Sequence, residues 1–460
     1  MATDRHSNSP EQRDIKNLLH PYTNLKVHEE VGPQIITHGK GIYVYDGEGK
    51  EYIEGLAGLW YASLGFSEER LVNAATEQLS SLPCYHTFAH KSNMPAIDLA
   101  ENLISRAPVP MSKIFFTNSG SEAVDTAIKI VWYYNNALNR PQKKKIIARA
   151  NAYHGVTVAS ASLTGLPVVR NSFDLPINNI LQTDCPHFYR FGKEGETEEQ
   201  FATRLAESLE RQILDEGPET IAAFIAEPVM GAGGVIVPPA TYFDKIQAVL
   251  KRHDVLFIVD EVVCGFGRTG NMWGSQTYNL RPDMITMAKA ISSGYLPIGG
   301  LMVNEKVFST VQKHSNACGV FGHGYTYTGH PACAAVALET QKIYEERGTF
   351  EYVRGIAPHF QKCLRKFADH PLVGEVRGVG LVGAVELVRD KKTKESFDPS
   401  LKTAAFATAR ASEYGLIVRA LPAGDSIAFC PPLIISEAEI DSMMERFAKA
   451  LDDTEKMING

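Results

Sequence analysis

The chain has no Cys-x-x-Cys pair, and its seven cysteines (Cys84, Cys185, Cys264, Cys318, Cys333, Cys363, Cys430) are scattered and odd in number. Such usage argues against a disulfide framework or a cysteine zinc site, and for a reducing, cytoplasmic setting. No run approaches the roughly 18 apolar residues that a membrane span needs. Basic blocks are also missing. The formal net charge is −7, and Lys143-Lys-Lys145 is short enough to read as a solvated lead-in to a strand. Nucleic acid is therefore not an expected partner. Met1 to Lys16 lacks the apolar centre of a signal peptide and carries too many acids for a transit peptide. Residues 1 to about 18 are expected to be a frayed arm. There is no internal repeat and no low-complexity tract.

What is present is a large core. The 460 residues are 44% hydrophobic, enough for two or three domains. The organising stretch runs from Val255 to Gly300. Asp260 closes the apolar run Val255–Val259, and Lys289 follows a second run, Met284–Ala288. Both runs have strand composition. A carboxylate and a lysine at the carboxyl ends of neighbouring strands could face one small molecule. That pair suits pyridoxal phosphate, which needs a lysine for a Schiff base and an acid opposite its ring nitrogen. Composition alone leaves open a helix-capping Asp260 and a solvated Lys289.

Further groups fit an anion and a flat ring. Lys113–Asn118 reads as a strand, and Ser119-Gly120-Ser121 opens a helix running to about Leu138. A helix start offers free N–H groups and a positive dipole end to a phosphate. Lys145–Arg149 reads as another strand, followed by Tyr153 and His154. A tyrosine there could stack on a ring. His154 reads equally as a structural histidine. Thr220–Ala226 reads as a buried parallel strand ending at Glu227. Gly41–Ile53 reads as a hairpin with its turn at Asp46-Gly47. Gly265-Phe-Gly267-Arg-Thr-Gly270 fits G-x-G-x-x-G, but the following residues are poor helix starters, so a dinucleotide fingerprint is not expected.

Asp260-Glu-Val-Val-x-Gly-Phe-Gly-Arg-Thr-Gly270, Lys289 and Gly294-Tyr-Leu-Pro-Ile-Gly-Gly300 together resemble the class III aminotransferase signature, nearest to the omega-aminotransferases that use pyruvate. The resemblance covers about Leu19 to Ser436. It implies a fold-type-I, pyridoxal 5'-phosphate-dependent α/β enzyme. Residues 1–62 would be an arm and a segment joining the small domain. Residues 63–334 would be the large domain, with a mainly parallel seven-stranded sheet, and 335–460 a small α+β domain. It implies a homodimer, or a dimer of dimers, with shared active sites.

The same resemblance assigns roles. Lys289 and Asp260 are catalytic. Ser119, Gly120, Ser121, Tyr153, His154, Glu227, Val262, Tyr325 and Thr326 join them in binding the cofactor, Thr326 reaching the partner's phosphate. Tyr22, Trp60, Phe88, Ala89, Tyr153 and Arg419 bind substrate, with Tyr22 near the partner subunit's site. Relatives tend to carry two aromatics where this chain has Phe88 and Ala89. Relatives that use glutamate or 4-aminobutyrate carry Gln-Gly-Glu-Gly-Gly where this chain has Met230-Gly-Ala232-Gly-Gly234. The implied reaction is ping-pong transfer of an amino group from an amine or omega-amino acid to pyruvate. An aminomutase or decarboxylase of the same fold, or a non-catalytic cofactor-binding regulator, are the alternatives.

Overall fold

The computed structural model describes residues 8–460; the first seven residues of the expected arm lie outside it. The remainder of that arm is not frayed. Pro10–Asn17 form a helix capped by Ser9, whose side chain accepts the Gln12 N–H. Proline suits the first turn, where its missing N–H costs nothing. The helix buries no residue fully, but a side-chain tie holds it. Asp14 Oδ1 lies 2.8 Å from His20 Nε2 and 3.0 Å from His28 Nε2, and His28 sits on the next helix, Leu25–Val31. Polarity had suggested disorder, whereas capping and one carboxylate supply the order.

Strands β1 (Ile36–Lys40), β2 (Tyr43–Asp46) and β3 (Glu51–Glu54) form an antiparallel sheet. The expected hairpin is β2–β3, its turn closed by Asp46 Oδ1, which accepts the Glu48 and Lys50 N–H groups. The fourth strand of this sheet comes from Leu416–Ile417, parallel to β3. Ile42 and Ile53 accordingly share one core with Val353, Phe360, Phe429 and Phe447 near the C-terminus.

Seven strands make the central sheet: β4 (Lys113–Thr117), β5 (Lys145–Arg149), β6 (Ile180–Thr183), β7 (Ile221–Ala226), β8 (Leu256–Asp260), β9 (Met284–Met287) and β10 (Gly299–Val303). Their order is β4-β10-β9-β8-β7-β5-β6. Only β10 runs against its neighbours. Every residue of β7 is buried, because helices cover both faces, and this explains its unbroken apolar run. Successive strand residues point to opposite faces. Ile146 and Ala148 pack with Val124, Ile128 and Val131 of helix Gly120–Ala137. Ile147 packs with Phe201, Leu209 and Ile246 of helices Glu198–Glu216 and Tyr242–Arg252. Each such large side chain stabilises the fold by roughly 1.5–3 kcal/mol.

A further sheet near the C-terminus contains Val373–Val379, Val382–Leu387, Arg419–Ala420 and Ser426–Phe429. The lysine run departs from expectation. Lys143 is buried, and its ammonium lies 3.4 Å from the carbonyls of Pro218 and His253, while Lys145 pairs with Glu216 at 2.6 Å. Lys143 thus ties two loop ends from a buried position rather than meeting solvent, while Lys145 stays part-exposed. The G-x-G-x-x-G run is a series of turns followed only by a four-residue helix, Gly274–Thr277. Gly267 is needed for packing: its φ is 102°, and a Cβ there would meet the Phe350 ring at 2.7 Å.

Candidate active site

The parallel strands end on one side, and most of the predicted residues follow those ends. Asp260 is the last residue of β8. Glu227 follows β7, Tyr153 and His154 follow β5, and Ser119 caps the helix after β4. Lys289 comes two residues after β9, with φ at 52°. A left-handed backbone is unfavourable for a lysine. Apart from Ser119, which caps the helix without reaching it, they line a cavity of about 210 Å³ that also takes in Gly120, Ser121, Trp60, Val262 and Arg419.

Asp260 is fixed at both oxygens. Oδ2 lies 2.8 Å from His154 Nδ1, and Oδ1 accepts the Val262 N–H at 3.1 Å. This makes His154 a partner of the carboxylate. Its Nε2 is buried without a hydrogen-bond partner among the described residues. Glu227 accepts N–H groups from Tyr153 at 3.1 Å and Gly231 at 2.8 Å. Burial, with the Asp260 charge adding, pushes its carboxyl pKa up. Burial lowers the pKa of the Lys289 amine, while Asp260 and Glu227 oppose the shift and the nearby Arg419 charge adds to it. A lowered pKa favours the free amine that a nucleophile or base requires. The Tyr153 phenol is pushed up by burial and then by its hydrogen bond with Tyr22.

Trp60 sits in a tight turn where Ala57, Gly58 and Trp60 all have positive φ. Behind the turn, Glu54 accepts the Leu56 N–H at 3.0 Å, and burial pushes its carboxyl up to about 8. Arg419 has no carboxylate in ion-pair range among the described residues; its guanidinium lies 5.8 Å from the centre of the Tyr22 ring. Within the single chain Tyr22 lines this cavity. Ala232 also lines the cavity.

Besides Ser119, four predicted residues lie outside the Lys289 cavity within the chain. Phe88 and Ala89 line a separate cavity with Gly322, His323 and Gly324. Tyr325 turns its hydroxyl to Thr126 and to the Glu122 carbonyl, and Thr326 is exposed. Sequence reasoning missed Leu166 and Pro422, which close the cavity from loops and carry no signal of their own. It also missed Gly155. There a Cβ would come within 2.5 Å of Ser121 Oγ, and the close approach fits a glycine directly after His154.

The donor set fits pyridoxal phosphate. A half-buried lysine and a buried carboxylate face one cavity, and His154 Nε2 stands unpaired there. At Gly120, a Cβ would sit 3.0 Å from both Val262 methyls, so the helix start can approach a ligand by its backbone alone. Lys289 would carry the aldehyde, Asp260 would face the ring nitrogen, and the N–H groups of Gly120 and Ser121 would take the phosphate.

Comparison with known proteins agrees. The "Aminotransferase class-III" family model matches residues 25–451. Gamma aminobutyrate transaminase 3, chloroplastic, of Solanum lycopersicum is 53% identical over 96% of this chain and 85% of its own. Vanillin aminotransferase of Capsicum frutescens is 52% identical over 96% of each. The omega transaminase of Pseudomonas jessenii, solved in complex with PMP, is 56% identical, with a TM-score of 0.97 over 98% of this chain and 99% of that one. The chain belongs to the class III aminotransferases, fold-type-I enzymes that use pyridoxal phosphate.

Proposed function

From that membership as premise, we propose that the enzyme moves an amino group from an amine or omega-amino acid to pyruvate in two half-reactions. The observation that carries the acceptor is the pairing of Arg419 and Ala232 in one cavity. Arg419 is a natural fork for a small carboxylate. An arginine left facing an apolar donor would be a desolvated, unpaired charge, which is costly. Relatives that use glutamate or 4-aminobutyrate carry at position 232 a glutamate that could neutralise it, and this chain has alanine there. Pairing with the face of Tyr22 is the arrangement left to Arg419 between carboxylates. The names of the relatives, gamma aminobutyrate transaminase and omega transaminase, support terminal amines as donors, and favour transamination over the aminomutase and decarboxylase alternatives.

Bound pyridoxal phosphate supplies the electron sink for the substrate carbanion. The protein does the rest. Lys289 moves the proton at the substrate carbon as general base and acid. Asp260, held by His154, keeps the ring nitrogen protonated. Trp60 and Tyr153 wall the pocket against water. Thr326, Tyr325, Phe88 and Ala89 are proposed to complete the site of a second subunit, since within one chain they lie away from Lys289.

The test is product analysis with 4-aminobutyrate or an apolar primary amine as donor. Alanine formed from pyruvate faster than glutamate from 2-oxoglutarate supports the proposal; the reverse order rejects it.

A further inference from the structure

Away from the cavity, three side chains of different chemistry converge at the edge of the C-terminal core, Cys363 buried, His359 half-buried and Asp441 exposed. His359 and Cys363 are four residues apart on helix Thr349–Arg365 and share one face. Asp441 stands opposite on helix Glu437–Asn459. Cys363 Sγ lies 3.6 Å from His359 Nε2 and 3.5 Å from Asp441 Oδ1, and His359 Nε2 lies 2.8 Å from the same oxygen.

We propose that His359, Cys363 and Asp441 form a binding site for one zinc-class divalent cation, which clips these two helices together. Ligand bonds of about 2.0–2.3 Å in a tetrahedron give edges of roughly 3.4–3.6 Å. Both sulfur edges already have that length. The nitrogen–oxygen edge is shorter by about 0.6 Å, as expected for a hydrogen bond in place of the ion. Opening it needs only the Asp441 side chain to move, and that side chain is 60% exposed. A thiolate and an imidazole select zinc-like ions over magnesium or calcium, which prefer oxygen. Solvent takes the fourth position. On binding, the Cys363 S–H bond breaks, a sulfur–metal bond forms and one proton passes to water. Thiolate and carboxylate then balance the dication, and Lys362 and Lys366 are the cations beside them.

The arrangement is more than a chance i, i+4 pair. His314 and Cys318 have the same spacing and a 3.6 Å contact on another helix, but among the described residues no carboxylate completes them. The Asp14, His20 and His28 cluster lacks sulfur, so a thiol probe does not read it.

The test uses tag-free, cofactor-loaded protein, zinc chloride, and alkylation of each cysteine followed by peptide mass. Zinc is expected to slow labelling of Cys363 about tenfold or more while leaving exposed Cys84 unchanged. His359→Gln and Asp441→Asn should each raise the zinc needed for that protection about tenfold or more. Equal labelling of Cys363 with and without zinc overturns the proposal. So does protection in both variants at the wild-type zinc concentration. Both substitutions sit at part-exposed helix positions, and unchanged transaminase activity verifies their folding.

Discussion

His154 Nδ1 lies 2.8 Å from Asp260 Oδ2 with both residues buried. The histidine is therefore a clamp on the carboxylate proposed to face the cofactor ring. A charge-assisted hydrogen bond of this kind contributes about 1.5–3 kcal/mol. His154→Phe should weaken pyridoxal phosphate binding by roughly ten- to a hundredfold. His154→Asn, whose amide still donates, should lose less. Cofactor titration followed by absorbance reads both, and equal affinity in His154→Phe and wild type contradicts the clamp.

Arg419 provides the second prediction. Arg419→Ala should cut kcat/KM for alanine and pyruvate roughly ten- to a hundredfold, the worth of a charged hydrogen-bond pair. An amine without a carboxylate should react in the first half-reaction almost as before. Single-turnover rates with L-alanine and with a primary amine separate the two cases. Equal losses for both donors reject the carboxylate role.

Glu54 makes stability depend on pH. Its folded pKa, about 8, stands above the ordinary 4.5 because burial disfavours the charge. The native state therefore holds the proton more tightly than the unfolded chain. This contribution is complete below about 4.5 and is lost as pH rises towards 8, at up to about 1.4 kcal/mol per pH unit. Glu54→Gln removes the titration. Its unfolding midpoint should fall less than that of the wild type between pH 6 and pH 8. Parallel curves would show that Glu54 does not titrate in that window.

Exposed Thr326 leads to a subunit experiment. If it completes the partner's phosphate site, Lys289→Ala and Thr326→Ala chains should complement each other. A mixed dimer then has one intact site and one doubly altered site. Mixing the two after unfolding and refolding should restore up to about a quarter of wild-type activity, since about half of the dimers are mixed and each has one site. Activity no greater than the sum of the separate variants counts against a shared site.

Much of this site was legible because its chemistry sits where strands end. Apolar runs mark β7, β8 and β9, and Glu227, Asp260 and Lys289 follow them within two residues. The helix after Ser119 announces itself by its cap. Relations in space were less legible. Nothing in the sequence pairs His154 with Asp260 across 106 positions. Lys143 looks like a surface lysine because its partners are backbone carbonyls, which carry no sequence signature. The arm helix did have a signal, Ser9-Pro10 with Gln12 three residues after the cap, but its polar composition outweighed it. The tie from Asp14 to two histidines holds the arm, and Tyr22 in the same stretch lines the cavity.

The central claim is that Lys289 carries the cofactor. Borohydride reduction of the yellow holoenzyme, followed by peptide mass analysis, tests it most directly. The account predicts a pyridoxyl adduct on the peptide containing Lys289 and loss of the visible band on reduction. An adduct on any other lysine, with the Lys289 peptide unmodified, would contradict it.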